Sequence, residues 1–137
     1  SALGERQIKI DCDVLQADGG TRTTSITGAW VALRLACDGL LLGGAITKQP
    51  LIDQVAAISC GIYQGEAVLD LDYDEDSRAE IDANFILSAG RGIVEVQATG
   101  EERPSSRDEL NSMLDLADSG CTELFSLQTS AVRKMAP

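Results

Sequence analysis

Val55-Ala56-Ala57-Ile58-Ser59-Cys60-Gly61-Ile62-Tyr63-Gln64-Gly65-Glu66-Ala67-Val68-Leu69-Asp70-Leu71-Asp72 is the stretch on which the fold turns. Val55 to Cys60 is nearly continuous apolar sequence. Apolar residues return at Ile62, Val68, Leu69 and Leu71 on either side of a Gln64-Gly65 turn signal. Two strands joined as a hairpin fit this best. Downstream, Asn84 to Ala89 and Gly92 to Ala98 predict two more strands about Gly90-Arg91-Gly92, with Ile93, Val94 and Val96 apolar. Upstream, Ile26, Ala29, Trp30, Leu33, Cys37 and Leu40 recur at helical spacing. They predict a helix from Thr24 to about Leu41 with Thr or Ser as N-cap and Gly39 near its end. Gly43 to Pro50 is a connector.

Beyond the strands, Ser106-x-x-Glu109 is a capping box that opens a long amphipathic helix through Leu110, Met113, Leu114, Ala117, Cys121, Leu124 and Leu127. After Gln128 the pattern weakens, which predicts a frayed tail over 129–137. At the front, Gln7 to Leu15 alternates Ile8, Ile10, Cys12 and Val14 with Lys9, Asp11 and Asp13, the period of a half-buried strand. The order strand, helix, two strands, two strands, helix predicts an α+β fold in which both helices pack on one face of a mixed or antiparallel sheet.

At 137 residues and 44% hydrophobic, the chain fits one domain with its own core. Its periodic apolar segments argue against disorder. No run approaches the ~18 consecutive apolar residues of a bilayer span, and no basic start precedes an apolar block, so the expectation is a cytoplasmic protein without a membrane partner. Cys12, Cys37, Cys60 and Cys121 lie far apart inside apolar patterns and read as buried thiols in a reducing compartment. Histidine is absent, which removes the usual general base, the usual zinc ligand and every Ser/His or Cys/His arrangement. Chemistry must rest on carboxylates, arginines, hydroxyls or a hard metal. The net charge of −11 excludes binding nucleic acid with the whole surface, though not with a local arginine site.

Ala17-Asp18-Gly19-Gly20-Thr21-Arg22-Thr23-Thr24 lies where the expected first strand hands over to a helix N-terminus. Such a place offers unpaired N–H groups and the positive end of the helix dipole to an anion. Glycines allow close backbone approach, Arg22 can fork onto two phosphate oxygens, and Thr21 and Thr23 add hydroxyls. A plain Gly-Gly turn followed by an N-cap fits the same residues.

Asp70, Asp72, Asp74, Glu75, Asp76 and Asp82 form an acidic cluster behind an apolar strand. It reads either as a solvated loop guarding a sheet edge or as a functional group of carboxylates. Like charges this close repel unless a cation or proton joins them. Mg²⁺ held by one or two carboxylates would satisfy that need, and so would a carboxylic acid of raised pKa poised to protonate a leaving oxygen. A phosphate seat and a carboxylate pair together point to phosphoryl transfer.

Leu3-Gly4-Glu5-Arg6, the run Ile10 to Thr23, Ser25 to Ala29, Leu69 to Tyr73 with Asp76-Ser77 and Asp82, and Val94-Glu95-Val96-Gln97 closely resemble the bacterial ribonuclease PH family in order and spacing. The resemblance implies a phosphate-dependent 3′-to-5′ exoribonuclease that trims the 3′ ends of tRNA precursors, with nucleotide addition as the reverse reaction. It places phosphate binding on Gly20, Thr21 and Arg22, and the functional aspartates on Asp76 and Asp82. Asp82 is then the general acid, and Asp76 its partner or a metal ligand, with the two together holding Mg²⁺. The implied fold is that of the second domain of a ribosomal small-subunit protein, of which 1–137 would be the carboxyl-terminal portion. The implied partners are RNA, inorganic phosphate and an amino-terminal half or companion chain, assembled as a homo-hexamer when complete. A noncatalytic ring subunit of an RNA-degrading assembly is the alternative. The sequence departs from the family's usual pattern at Ala98-Thr99-Gly100-Glu101 and at Ser105, both away from the glycine loop.

Overall fold

A computed structural model describes residues 2–135; Ser1, Ala136 and Pro137 lie outside the described residues. The elements in chain order are helix α1 (Thr21–Leu42), strands β1 (Val55–Tyr63) and β2 (Glu66–Leu69), the single-turn helix α2 (Tyr73–Asp76), strands β3 (Ile81–Ser88) and β4 (Gly92–Gly100), and helix α3 (Arg107–Met135). The strands form one sheet in the order β2-β1-β3-β4, every neighbouring pair antiparallel. The α+β expectation is met, and the sheet takes the antiparallel of the two forms expected. The hairpin turns where anticipated: Gln64 and Gly65 both have positive φ, 53° and 79°, as a two-residue turn matched to strand twist requires.

One face of the sheet makes the core. Ala56, Ile58, Cys60 and Ile62 of β1 stand opposite Leu87, Phe85, Ala83 and Ile81 of β3, and α3 covers them with Met113, Ala117 and Cys121. Gly120 allows the close approach, because a Cβ there would meet Ile58 Cδ1 at 2.6 Å. The expected capping box starts α3: Ser106 Oγ accepts from Glu109 N at 3.2 Å and Glu109 Oε2 accepts from Ser106 N at 2.8 Å. The helix then runs unbroken to Met135, past the Gln128 boundary where fraying was expected. Gln128 is itself buried and donates to the carbonyls of Thr27 and Val55, which ties this stretch of α3 to α1 and β1.

α1 stands along the free edge of β1 beside α3. β2 pairs only with Cys60 to Tyr63, so the backbone of Ala57 faces outward without a strand partner. Thr27 supplies one: its hydroxyl accepts from Ala57 N at 2.9 Å and donates to Ala57 O at 3.0 Å. Trp30 is half-buried on this side and donates from Nε1 to the Asp53 carbonyl at 3.0 Å.

Two further expectations are corrected. Gln7 to Leu15 is not a strand; the segment is extended coil, with Ile10 and Val14 about half exposed and no ladder partner among the described residues. Alternation alone cannot make a strand, because the backbone groups also need a neighbouring strand to pair with. The segment instead runs beside α1 and lines a groove with Thr24, Gly28 and Ala29. Cys12 belongs to this segment and is exposed, whereas Cys37, Cys60 and Cys121 are buried as expected. Burial pushes the Cys60 thiol up to about 12 and that of Cys121 up to about 11, so neither is a nucleophile at neutral pH. α1 is by length and composition apolar enough to cross a membrane, although it contains no run of ~18 consecutive apolar residues. Here it is held against β1 and α3 by Thr27, Trp30 and Gln128.

Candidate active site

The glycine loop and the acidic segment meet. Gly19 lies on the backbone that follows β2, where a Cβ would stand 1.9 Å from the Leu71 carbonyl oxygen. Asp18 fastens the contact: its Oδ1 accepts from Gly19 N at 2.9 Å and from Tyr73 N, at the start of α2, at 2.8 Å. Gly20 then enters the left-handed region, φ +68°, and serves as N-cap of α1 without any side-chain hydrogen bond. The cap is therefore this glycine and not the Thr or Ser expected. The helix begins three residues earlier than predicted, inside the Gly-Thr-Arg triplet, with no acid in its first turn. Its opening N–H groups and dipole are left for an anion. Thr23 does not contribute its hydroxyl, which is buried and donates to the Gly20 carbonyl at 2.8 Å.

Strand register decides which residues share this site. Ser59 stands opposite Asn84, and Gly61 opposite Asp82; across β4, Asp82 faces Thr99, Asn84 faces Gln97, and Ile86 faces Glu95. These residues occupy the sheet face turned away from α3. Leu71 covers Gly61 on that face, and Ser59 Oγ lies 3.3 Å from the Cβ position of Gly20. Ser59 Oγ is a buried side-chain oxygen with no hydrogen-bond partner among the described residues. The loop and Asp82 thus lie on one face. Arg22 reaches over it from α1, its Nη2 donating to Glu95 Oε1 on β4 at 2.6 Å.

The acids divide into structural and free ones. Asp72 and Glu75 form a reciprocal capping box on α2, so part of the cluster is an ordered turn and not a loose acidic loop. Asp70 is held at φ +56°, its N–H donating to Ser59 O at 2.8 Å. Asp76 ends α2 exposed, and Asp82 is half-buried near the start of β3, which begins earlier than predicted and so brings this residue into the sheet. Desolvation, followed by the charges of Asp76 and Glu101, raises the pKa of the Asp82 carboxyl. A carboxyl that favours its proton beside a second carboxylate is the arrangement a general acid needs.

Among the described residues no group of three or more His, Cys, Asp or Glu side chains converges as a protein-only metal cage. Asp76 and Asp82 are two, a donor set that suits an ion such as Mg²⁺ when water and phosphate oxygens supply the other ligands. Of the residues the sequence singles out, the Gly-Thr-Arg loop and Asp82 share a sheet face, and Asp76 is close enough to Asp82 to act on it by charge. Sequence reasoning missed Asp18 as the fastener, Glu95 as the partner of Arg22, and Ser59. The alternation of Glu95, Gln97 and Thr99 was a usable signal that these side chains share a face.

An open helix N-terminus and a half-buried carboxyl of raised pKa thus share one sheet face of an α+β domain. Residues 53–120 match the model of the 3′ exoribonuclease family, domain 2, and the chain carries that family's domain. It is 60% identical over 131 residues to Ribonuclease PH of Caulobacter vibrioides, covering 96% of this chain and 55% of that protein. With Ribonuclease PH of Cereibacter sphaeroides it is 59% identical over 132 residues, covering 96% of this chain and 56% of that protein. The crystal structure of rice Rrp46 has the same fold, with a TM-score of 0.66 at 19% identity over 85% of this chain and 49% of that one. The chain spans about half the length of the curated relatives it matches, 55% of the Caulobacter protein.

Proposed function

We propose that this chain supplies the phosphate seat and the general acid of a phosphorolytic 3′-to-5′ exoribonuclease acting on the 3′ ends of tRNA precursors. The observation that carries the reading is the shared sheet face of the Gly20-Thr21-Arg22 loop and Asp82. In this reading inorganic phosphate rests on the N-terminus of α1 and on Arg22. A phosphate oxygen attacks the phosphorus of the terminal nucleotide. The bond from that phosphorus to the 3′ oxygen of the preceding nucleotide breaks, and Asp82 gives its proton to that oxygen. A nucleoside diphosphate and a shortened RNA leave, and Asp82 regains a proton from solvent. Run backward, the same steps add a nucleotide and release phosphate. Asp76, as an unliganded carboxylate, favours the Asp82 proton by charge; Asp76 would hold Mg²⁺, with Asp82 joining it as a ligand only once its proton has left, and the ion would supply neutralisation of phosphate charge. Positioning and charge provide most of the catalysis, as in phosphoryl transfer generally.

The proposed partners are RNA and an amino-terminal half or companion chain, in a homo-hexameric ring, in the cytoplasm. A chain of net charge −11 needs basic surface from elsewhere to hold RNA well. The retention of Thr21, Arg22, Asp76 and Asp82 together favours the enzyme over a noncatalytic ring subunit. The test is a 3′-extended tRNA precursor incubated with this chain and the amino-terminal half of its relatives, with and without phosphate. Phosphate-dependent shortening with release of nucleoside diphosphates is expected. Shortening that yields nucleoside monophosphates without phosphate, or none at all, sinks the proposal.

A further inference from the structure

Arg22 reaches out from the second residue of α1, passes over β3, and ends on β4 at Glu95, 2.6 Å away. Both side chains are about half exposed, 46% and 45%, so the pair adds little to stability. The contact joins one guanidinium nitrogen to one carboxylate oxygen. A guanidinium has five N–H donors, and this geometry leaves most of the fork uncommitted. Glu95 stands opposite Ile86 on the face that carries Asn84 and Asp82. The N-terminus of α1 lies over β1 at Ser59, and the far end of Arg22 lies over β4, so the space between them sits above β3.

We propose that Glu95 is a positioning residue for the phosphate site, holding the Arg22 guanidinium across the sheet so that the anion is bracketed between it and the helix N-terminus, beside Asp82. The proposal rests on the reading of Gly20, Thr21 and Arg22 as a phosphate seat. Without Glu95, the long Arg22 side chain would sample many rotamers and lose that entropy on each binding event. A carboxylate near a bound anion repels it, so removing the charge should tighten binding if Glu95 did nothing else. Positioning predicts the opposite sign.

The test is titration of the chain with inorganic phosphate, followed by the amide resonances of Thr21 and Arg22, for the wild type, Glu95→Gln, Arg22→Ala and the double variant. Glu95→Gln should weaken phosphate binding about three- to fivefold, with the melting temperature unchanged. In the Arg22→Ala background the same change should have no effect, because Glu95 acts only through Arg22. Equal or tighter binding by Glu95→Gln, or the same loss in both backgrounds, overturns the positioning role and leaves the seat intact. Absence of phosphate binding in the wild type, or wild-type affinity in Arg22→Ala, overturns the seat and the positioning role with it.

Discussion

Gly19 and Leu71, 52 positions apart by number (71 − 19), are in backbone contact: a Cβ on Gly19 would lie 1.9 Å from the Leu71 carbonyl oxygen and 2.9 Å from its carbon. No side chain fits there, and the contact puts the loop that opens α1 directly against the backbone that leads into α2. Asp18 accepts from both sides of this junction, so loop and acidic turn move as one piece. The juxtaposition of the glycine loop and the acidic turn therefore depends on a residue with no side-chain chemistry of its own.

Gly19→Ala should accordingly damage both stability and function. Leu71 is buried, so its backbone cannot retreat without disturbing the core. Forcing in one methyl should cost about 1–3 kcal/mol, read as a lowered urea midpoint. Phosphate affinity should fall as well, because the loop can relieve the clash only by lifting off the Leu71 backbone. An unchanged midpoint would mean the loop is not seated as described.

Asp82→Asn separates the roles of charge and acid. Its raised pKa means the folded chain disfavours the ionised form. The contribution of this group to stability is thus full below the ordinary Asp pKa near ~3.9, and is lost as pH rises through the higher folded value. Asparagine removes that loss: the variant should melt above wild type at neutral pH and level with it in acid. Phosphorolysis by the reconstituted enzyme should nevertheless be abolished. Near-normal turnover of Asp82→Asn would remove this residue from the mechanism.

Much of this was legible from periodicity. The Val55–Leu69 hairpin, β4 and both long helices follow from apolar spacing and from the Gln64-Gly65 and Ser106–Glu109 signals. What failed was whatever depended on a partner distant in sequence. Ile8, Ile10, Cys12 and Val14 alternate properly, yet alternation describes one chain and pairing needs two. The Arg22–Glu95 contact spans 73 positions and follows only from register, which sets Glu95 on the Asp82 face. The start of α1 was misplaced because Thr and Ser are better N-caps by propensity, whereas Gly20 is placed by its left-handed φ and by the pinned glycine before it.

Arg22→Lys tests whether the seat needs a fork or only a charge. Lysine keeps the positive charge but offers a compact ammonium in place of the planar fork, which does not match two phosphate oxygens side by side while also reaching Glu95. Phosphate affinity should drop by about tenfold, equivalent to about 1.4 kcal/mol, with little change in melting temperature. Equal affinity for the two side chains, measured by the same phosphate titration, would reduce Arg22 to a general electrostatic contribution.

Thr27→Val probes how the seat is aimed. The Thr27 hydroxyl takes the place of a missing strand at Ala57, accepting from its N–H and donating to its carbonyl. The Thr27 carbonyl in turn accepts from Gln128 of α3 at 2.9 Å, so one residue links the β1 edge, α1 and α3. Valine keeps the shape and deletes both hydroxyl bonds, leaving two backbone groups of a buried strand unpaired. The cost should be about 1–3 kcal/mol. Because α1 is otherwise only partly buried, its N-terminus should also lose its fixed position over Ser59, and amide exchange at the start of the helix should accelerate. Fast exchange confined to Ala57, with Thr24, the first bonded amide of α1, as protected as in the wild type, would show that α1 is aimed by its remaining contacts and that Thr27 serves the sheet edge alone.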